Sequence, residues 1–218
     1  MLKMDSHIHS KYSHDSNSKL EDIIKIAKKE NIDIIAISDH NTVDGTSEIL
    51  SKTRSTDILA IPSIEISSTH GHILGFGCEE IIPKNLSPEE TIDKIHEMAG
   101  IAIIPHPYCF YRHGLLCECD YKDLKIDGIE TKNARFIIGH SNRKAKKLSQ
   151  KENIPSLGAS DAHYWKFVGD CYSLVSCEKD IDSVLKAIRK GNIEAHGKGT
   201  SNILLSKYLF EKNVLKKF

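Results

Sequence analysis

Residues 32–40 read Ile32-Asp33-Ile34-Ile35-Ala36-Ile37-Ser38-Asp39-His40, an almost unbroken apolar run that ends in a carboxylate and an imidazole. A run of that length fits a strand buried on both faces, as in a sheet covered by helices. The rhythm recurs along the chain. Residues 58–66, ILAIPSIEI, carry Glu65, and residues 101–104 run into Pro105, His106 and Pro107. Shorter strands are expected at 73–76, 126–130, 156–159 and 171–175, most of them in one sheet. Between them, Leu20, Ile23, Ile24 and Ala27 make an apolar stripe at helical spacing. Helices also fit 88–99, 142–152 and 181–190, where Gly191 supplies a stop. The fold class is therefore α/β, as a barrel or an open sheet, and strands joined by helices bring their carboxyl ends, with the ligands they carry, to one face.

At 218 residues the chain fills one core, so a single domain over 1–218 is the expectation, with a polar insertion at 112–123 and a C-terminal packing segment at 197–218. No apolar run approaches the roughly 18 residues of a membrane span, which leads to the expectation of a soluble cytoplasmic protein without a membrane partner. Thirty basic residues balance thirty acidic ones. No global positive field then argues for tight binding of long nucleic acid, and a local cationic pocket remains open to a small substrate. Six scattered cysteines read as free thiols, since the lone Cys117-x-Cys119 lacks a second pair at zinc spacing. The sequence leaves the oligomeric state open.

Histidine carries the functional signal, with twelve in the chain. His7 and His9 sit one residue apart, so on an extended segment both point to one face and reach one metal. Asp5 shares their parity and is placed to orient a ligand imidazole or to cap the sheet end. Asp161 and His163 repeat the pattern after another strand. Glu65 leaves a strongly β-like run, where a carboxylate is costly to bury unless it is paired or coordinated. His40 and His106 also follow strands, and His14 and Asp15 stand in the loop after the first strand, where either closes the site or caps a helix. Asn133 and His72 are auxiliary candidates, the former as an amide donor to a phosphate or as an ordinary turn residue.

Taken in order, MDSHIHSKYSHDS, AISDHNTVDG, the Glu65 segment, IIPHP, DGIETKN and GASDAH resemble the motifs of the PHP family, the polymerase and histidinol phosphatase domains. The resemblance covers nearly the whole chain. It implies an irregular seven-stranded β/α barrel with two or three divalent metals, commonly manganese, zinc or iron, and hydrolysis of phosphate esters. It implies one metal on His7, His9, Glu65 and Asp161, with Glu65 bridging to a second that also uses His106. A third falls to Asp15, His40 and His163. Some relatives have a histidine near the position of Asn133.

The implied reaction is attack on phosphorus by a metal-bound hydroxide. Arg135 and Arg143 are the cationic phosphate candidates, and Asp39 or His163 the candidates for proton transfer to the leaving group. The compact length and the SDHNTVDG segment look most like small stand-alone phosphoesterases acting on a nucleoside 3′,5′-bisphosphate or a short single-stranded nucleic-acid end. A histidinol-phosphate phosphatase is the alternative, and a metal-dependent regulatory or binding module without turnover is the second.

Overall fold

The computed structural model describes residues 1–135, 140–201 and 206. In chain order the elements are β1 (Leu2–Ile8), α1 (Leu20–Lys29), β2 (Ile34–Ile37), α2 (Asp44–Thr53), β3 (Leu59–Ile61), β4 (Ser63–Ser67), β5 (His72–Phe76), α3 (Pro88–Glu97) and β6 (Ile101–Ile104). They continue with β7 (Gly128–Asn133), α4 (His140–Glu152), β8 (Ser156–Ala159), β9 (Cys171–Val175), α5 (Ile181–Arg189) and β10 (Ile193–Gly197).

Where the resemblance implies seven strands and the apolar rhythm implies mostly one sheet, the described residues form ten strands in two mixed sheets. Their orders are β10-β9-β1-β2-β3 and β4-β5-β6-β7-β8. The division falls at Pro62. Having no N–H, proline cannot continue a ladder, so the run at 58–66 becomes two strands in different sheets. The Pro62 carbonyl accepts instead from Gly77 N at 2.7 Å. Parallel bridges between Ile8 and Ala162 and between His40 and Glu65 join the two sheets. Both seams therefore lie at candidate site residues.

Hydroxyls fasten the second seam: Ser63 Oγ donates to the Ile37 carbonyl at 2.7 Å, and Thr46 Oγ1 to the Ser63 carbonyl at 2.6 Å. Met4, Ile34, Ile61, Leu74, Phe76 and Ile103, drawn from both sheets, form one buried cluster with Val184 and Ile188 of α5. The outer face of the first sheet is covered by α1 through Leu20, Ile23 and Ala27. That of the second is covered by α3 through Ile92 and Ile95. Residues alternating along a strand thus serve two cores, which is why these strands read as apolar throughout.

Two elements were not expected from the sequence. Helix α2 lacks a strong apolar stripe, burying Gly45, Thr46, Ile49 and Thr53. A Cβ at Gly45 would stand 2.0 Å from Asp39 Oδ2, so only glycine lets α2 approach this closely. Strand β10 is recruited by antiparallel pairing with β9, from Ile193 opposite Val175 to Gly197 opposite Cys171. The packing segment expected over 197–218 begins inside β10; beyond residue 201 all but Ser206 lies outside the described residues. The 112–123 segment opens at the end of one 3-10 turn, Phe110–Arg112, and contains a second, Leu115–Cys117. Among the described residues no helix is long and apolar enough to cross a membrane. The six cysteines are free.

Candidate metal centre

The parallel strands β1, β2, β6, β7 and β8 point their carboxyl ends to one side, where a cavity of about 370 Å³ opens. Strand β5 runs antiparallel to β4. Its first residue, His72, therefore lies at the same side as the ends of its neighbours, which a rule written for parallel strands would not find.

Glu65 is the centre of the arrangement. Its Oε2 stands 3.2 Å from His7 Nε2, 3.3 Å from His9 Nε2 and 3.2 Å from His40 Nδ1. Its Oε1 stands 2.9 Å from His72 Nδ1 and 3.2 Å from His106 Nε2. Burial pushes the Glu65 carboxyl up, but His72, His7 and His40 outweigh it and hold the group well below the usual carboxylate range. Asp161 behaves alike: burial raises it, and Arg112, His7 and Arg135 bring it well below. Two ionised carboxylates are thus held in a dry site, a situation that requires cations.

Ligand atoms converge in three groups: His7, His9 and Glu65; His9, Asp15, His40 and His163; and His40, Glu65 and His72. Asp161 Oδ1 lies 3.5 Å from His9 Nε2 and Asp15 Oδ2 lies 2.7 Å from His163 Nε2. His7 Nε2 and His9 Nε2 face each other at 3.0 Å. His72 Nδ1 is buried 2.9 Å from Glu65 Oε1 without the directionality of a hydrogen bond, and His106 Nδ1 is buried without a hydrogen-bond partner. Imidazole nitrogens crowded on shared carboxylate oxygens fit divalent cations, which take N and O donors together. The clusters can hold two or more such ions. His72, ranked as auxiliary from the sequence, stands among them as closely as His106.

Burial lowers His106, Arg112 adds to this, and the imidazole is held at about 4, so it stays neutral and able to ligate well below pH 7. Backbone geometry is unusual here too. His106 has φ 30° and Asp161 φ 52°, left-handed values rare for residues with a Cβ and stable only where surrounding bonds impose them. The His106 amide donates to Glu130 Oε2 at 2.9 Å. Beside Asp161, the His9 amide donates to the Ala162 carbonyl at 2.9 Å.

Glu130 and Arg112 were missed from the sequence. Glu130 accepts from His7 Nδ1 at 2.8 Å and so aims its Nε2 at Glu65. A register shift in β7 between Glu130 and Lys132 lets Asn133, three residues on, share the same face. Its Nδ2 donates to Glu130 Oε2 at 2.8 Å and to Asp161 Oδ2 at 3.0 Å. The one signal for Glu130 is a carboxylate inside an apolar strand. Arg112 sits in the polar insertion, where its charge looks like solvent exposure, yet its guanidinium reaches Asp161 Oδ2 at 2.7 Å and Asn133 Oδ1 at 3.1 Å.

Three expectations change. Asp5 does not orient an imidazole: its carboxylate accepts from the Ser160 and Gly169 amides at 3.0 and 2.8 Å. The register shift of β1 between Asp5 and Ile8 breaks the alternation that would align it with His7. Asp39, weighed as a proton donor, is outside the cavity lining, with both oxygens taken by the Ser10 amide and hydroxyl at 2.6 Å. Burial pushes it up to about 6 against those two bonds. Arg143 is exposed on α4 and does not line the cavity. Arg135 does, its NH1 3.2 Å from Asp161 Oδ1 and 3.0 Å from His163 Nδ1. His14, weighed with Asp15 from the sequence, and His113, left unassigned there, stand at the rim.

Arg112 fixes one oxygen of Asp161 and leaves the other toward the histidines. Arg112→Met is expected to weaken metal binding about 10- to 100-fold, the range for groups that orient ligands, with helix and strand content unchanged. Titration of the metal-free protein with Mn²⁺ checks this; unaltered affinity would remove the positioning role.

The model of the PHP domain matches residues 5–120, and that of a PHP-associated segment matches 139–193. The chain belongs to the PHP family. Among its relatives, the uncharacterized protein MJ1587 of Methanocaldococcus jannaschii is 39% identical over 168 residues, 69% of this chain and 95% of that protein. The fold is shared with a two-domain protein of Bacteroides vulgatus containing a predicted PHP-like metal-dependent phosphoesterase (TM-score 0.77, 17% identity). That match covers 90% of this chain, which spans 65% of that one. It is shared also with the lesion-specific endonuclease PfuEndoQ of Pyrococcus furiosus (TM-score 0.68, 20% identity), over 89% of this chain and 57% of that one. The PHP architecture thus presents its clustered ligands on strand ends from both sheets.

Proposed function

We propose that this PHP chain is a metal-dependent phosphoesterase that hydrolyses a phosphate monoester on a nucleoside 3′,5′-bisphosphate or at a short nucleic-acid end. The observation that carries the reading is the pairing, in one cavity, of the histidine–carboxylate cluster with the guanidinium groups of Arg112 and Arg135. Divalent ions held by His7, His9, Asp15, His40, Glu65, His72, His106, Asp161 and His163 would supply Lewis-acid stabilisation of phosphoryl charge. Manganese, zinc and iron all suit a mixed imidazole and carboxylate set.

The chain's own groups do the rest. Glu130 and Asn133 hold His7 and Asp161 in place. Arg135, exposed at the rim, offers its fork to a phosphate oxygen. His163 is buried between Arg135 and Asp15, and burial with Arg135 lowers its pKa, so it serves as a neutral ligand and not as the proton donor weighed for it from the sequence. With Arg135 at its rim, the cavity can grip one phosphate while the other reacts. A substrate ammonium, as in histidinol phosphate, would need a carboxylate turned toward it. Glu65, Asp161 and Asp15 are each turned to histidine or arginine instead. The nucleic-acid-end reading draws support from the lesion-specific endonuclease that shares the fold.

The test compares kcat/KM for the bisphosphate, the matching monophosphate, histidinol phosphate and a short phosphorylated oligonucleotide with one reconstituted metal. Loss of the non-reacting phosphate should lower efficiency about 10- to 100-fold, the value of one or two charge-assisted hydrogen bonds, and Arg135→Ala should erase that difference. Equal efficiency with and without the second phosphate rejects the anchor. Preference for histidinol phosphate moves the assignment to amino-alcohol phosphates, and no turnover of any ester leaves a binding module.

A further inference from the structure

The 3-10 turn Phe110–Arg112 stands over the mouth of the cavity, and two adjacent aromatic rings on it are left in solvent. Phe110 is 74% exposed and Tyr111, which lines the cavity, 87%. The backbone beneath them is tightly held. Cys109 N donates to the His106 carbonyl at 3.0 Å, Gly114 N to the Cys109 carbonyl at 2.9 Å, Leu116 N to the Pro107 carbonyl at 2.9 Å, and His72 N to the His113 carbonyl at 2.9 Å. A Cβ at Gly114 would come within 2.5 Å of Cys109 N, so the arch closes this tightly because that residue is glycine. Buried Leu115 and Leu116 pin the arch to the core.

We propose that Tyr111, with Phe110 beside it, is a stacking platform for the nucleobase of the substrate, and so a specificity-determining residue of this site. The inference rests on the phosphoesterase reading above and names the part of the substrate that reading leaves undetermined. Three observations and the chemistry of a nucleobase converge on it. Folding leaves Tyr111 and its neighbour Phe110 unburied although their backbone is fixed, and of the exposed large apolar side chains among the described residues Tyr111 lines the cavity while Met1, Tyr12, Ile81 and Phe110 do not. Tyr111 borders the space that the metal ligands enclose. The next residue, Arg112, reaches the Asp161 carboxylate, so a single turn spans from the reacting centre to the rim. Finally, a planar, weakly polar base presents a π face that suits an aromatic ring, while its phosphates suit Arg135.

The full chain, reconstituted with metal, is assayed as wild type, Tyr111→Ala and Tyr111→Phe on a nucleoside 3′,5′-bisphosphate and on base-free 1-deoxyribose 3,5-bisphosphate. Wild type should favour the nucleotide about tenfold in kcat/KM, the lower part of the range for one stacked base. Tyr111→Ala should erase that preference by raising KM with kcat unchanged, and Tyr111→Phe should retain it because stacking needs the ring and not the hydroxyl. Equal losses on both compounds in Tyr111→Ala, or an unchanged nucleotide KM, overturns the platform. So does wild-type hydrolysis of the base-free compound at the nucleotide's efficiency, an outcome that leaves the phosphoesterase reading standing. Hydrolysis of neither, with turnover of histidinol phosphate, removes the nucleotide reading and the platform together.

Discussion

Glu65→Ala should reduce phosphoesterase turnover by about 10³-fold or more, equivalent to about 4 kcal/mol of transition-state stabilisation, and should lower the number of bound metals per chain. The expectation follows from position. Five imidazole nitrogens from four separate segments lie within 3.3 Å of its two oxygens, so the carboxylate joins the histidines of β1 and β2 to those of β5 and β6. Removing the carboxylate leaves those imidazoles without their shared counter-charge, so His7 and His40 repel one another as well as any cation brought among them. Glu65→Gln keeps the shape and loses the charge. It should lose activity nearly as far while retaining more of the fold. Metal analysis after dialysis, paired with turnover and circular dichroism, reads both effects. A Glu65→Ala protein with full metal content and activity would show that the cluster is an ordinary buried ion-pair network.

Chelation is expected to abolish turnover and to lower the melting temperature by about 5–10 °C. Ligand at a hundredfold excess over Kd stabilises a fold by about 2.7 kcal/mol, and in a domain of this size each kcal/mol moves Tm by about 2–4 °C. The effect should depend on pH in a definite direction. Burial lowers His7, but Asp161, Glu65 and Glu130 overcome it and raise its pKa well above the ordinary histidine value. The metal-free protein therefore gains stability from the His7 charge below about pH 6.5 and loses that contribution as pH rises through the raised value. Metal must displace this proton to reach His7 Nε2. The metal-induced rise in Tm should consequently widen from pH 6 to pH 8, measured by thermal denaturation with and without Mn²⁺. A rise that narrows with pH would contradict the placement of His7 as a ligand.

Several of these residues were legible in the amino-acid sequence. Buried parallel strands need long apolar runs, and a polar group just after such a run must lie at a strand end, so residues 32–40 and 101–107 located His40 and His106 directly. The spacing in His7-x-His9 put two candidate ligands on one face by the two-residue period; Asp161 and His163 also reach the site, but from beyond β8 with Asp161 in left-handed backbone. Helix α3 was legible as well, as a helix from residue 88, and the structure adds the reciprocal cap of Ser87 and Glu90.

Other features depended on partners far along the chain, and a local pattern does not carry those. Pro62 could be read as a break, but not that the break sends the next strand into a second sheet. The parity of Asp5 pointed toward His7, and a register shift in β1 turned it to Ser160 and Gly169 instead. His72 joined the centre because β5 runs antiparallel, Glu130 because it is 2.8 Å from a histidine 123 residues away, and Arg112 because a tight arch folds a polar insertion back over Asp161. The sequence by itself determined the donor chemistry and the strand ends that carry it, since residue type and two-residue periodicity are local properties. Only the tertiary structure decided which carboxylate gathers five imidazoles, which one merely orients and which arginines enter the cavity, because those places are set by distances of about 3 Å between segments that sheet pairing and register bring together.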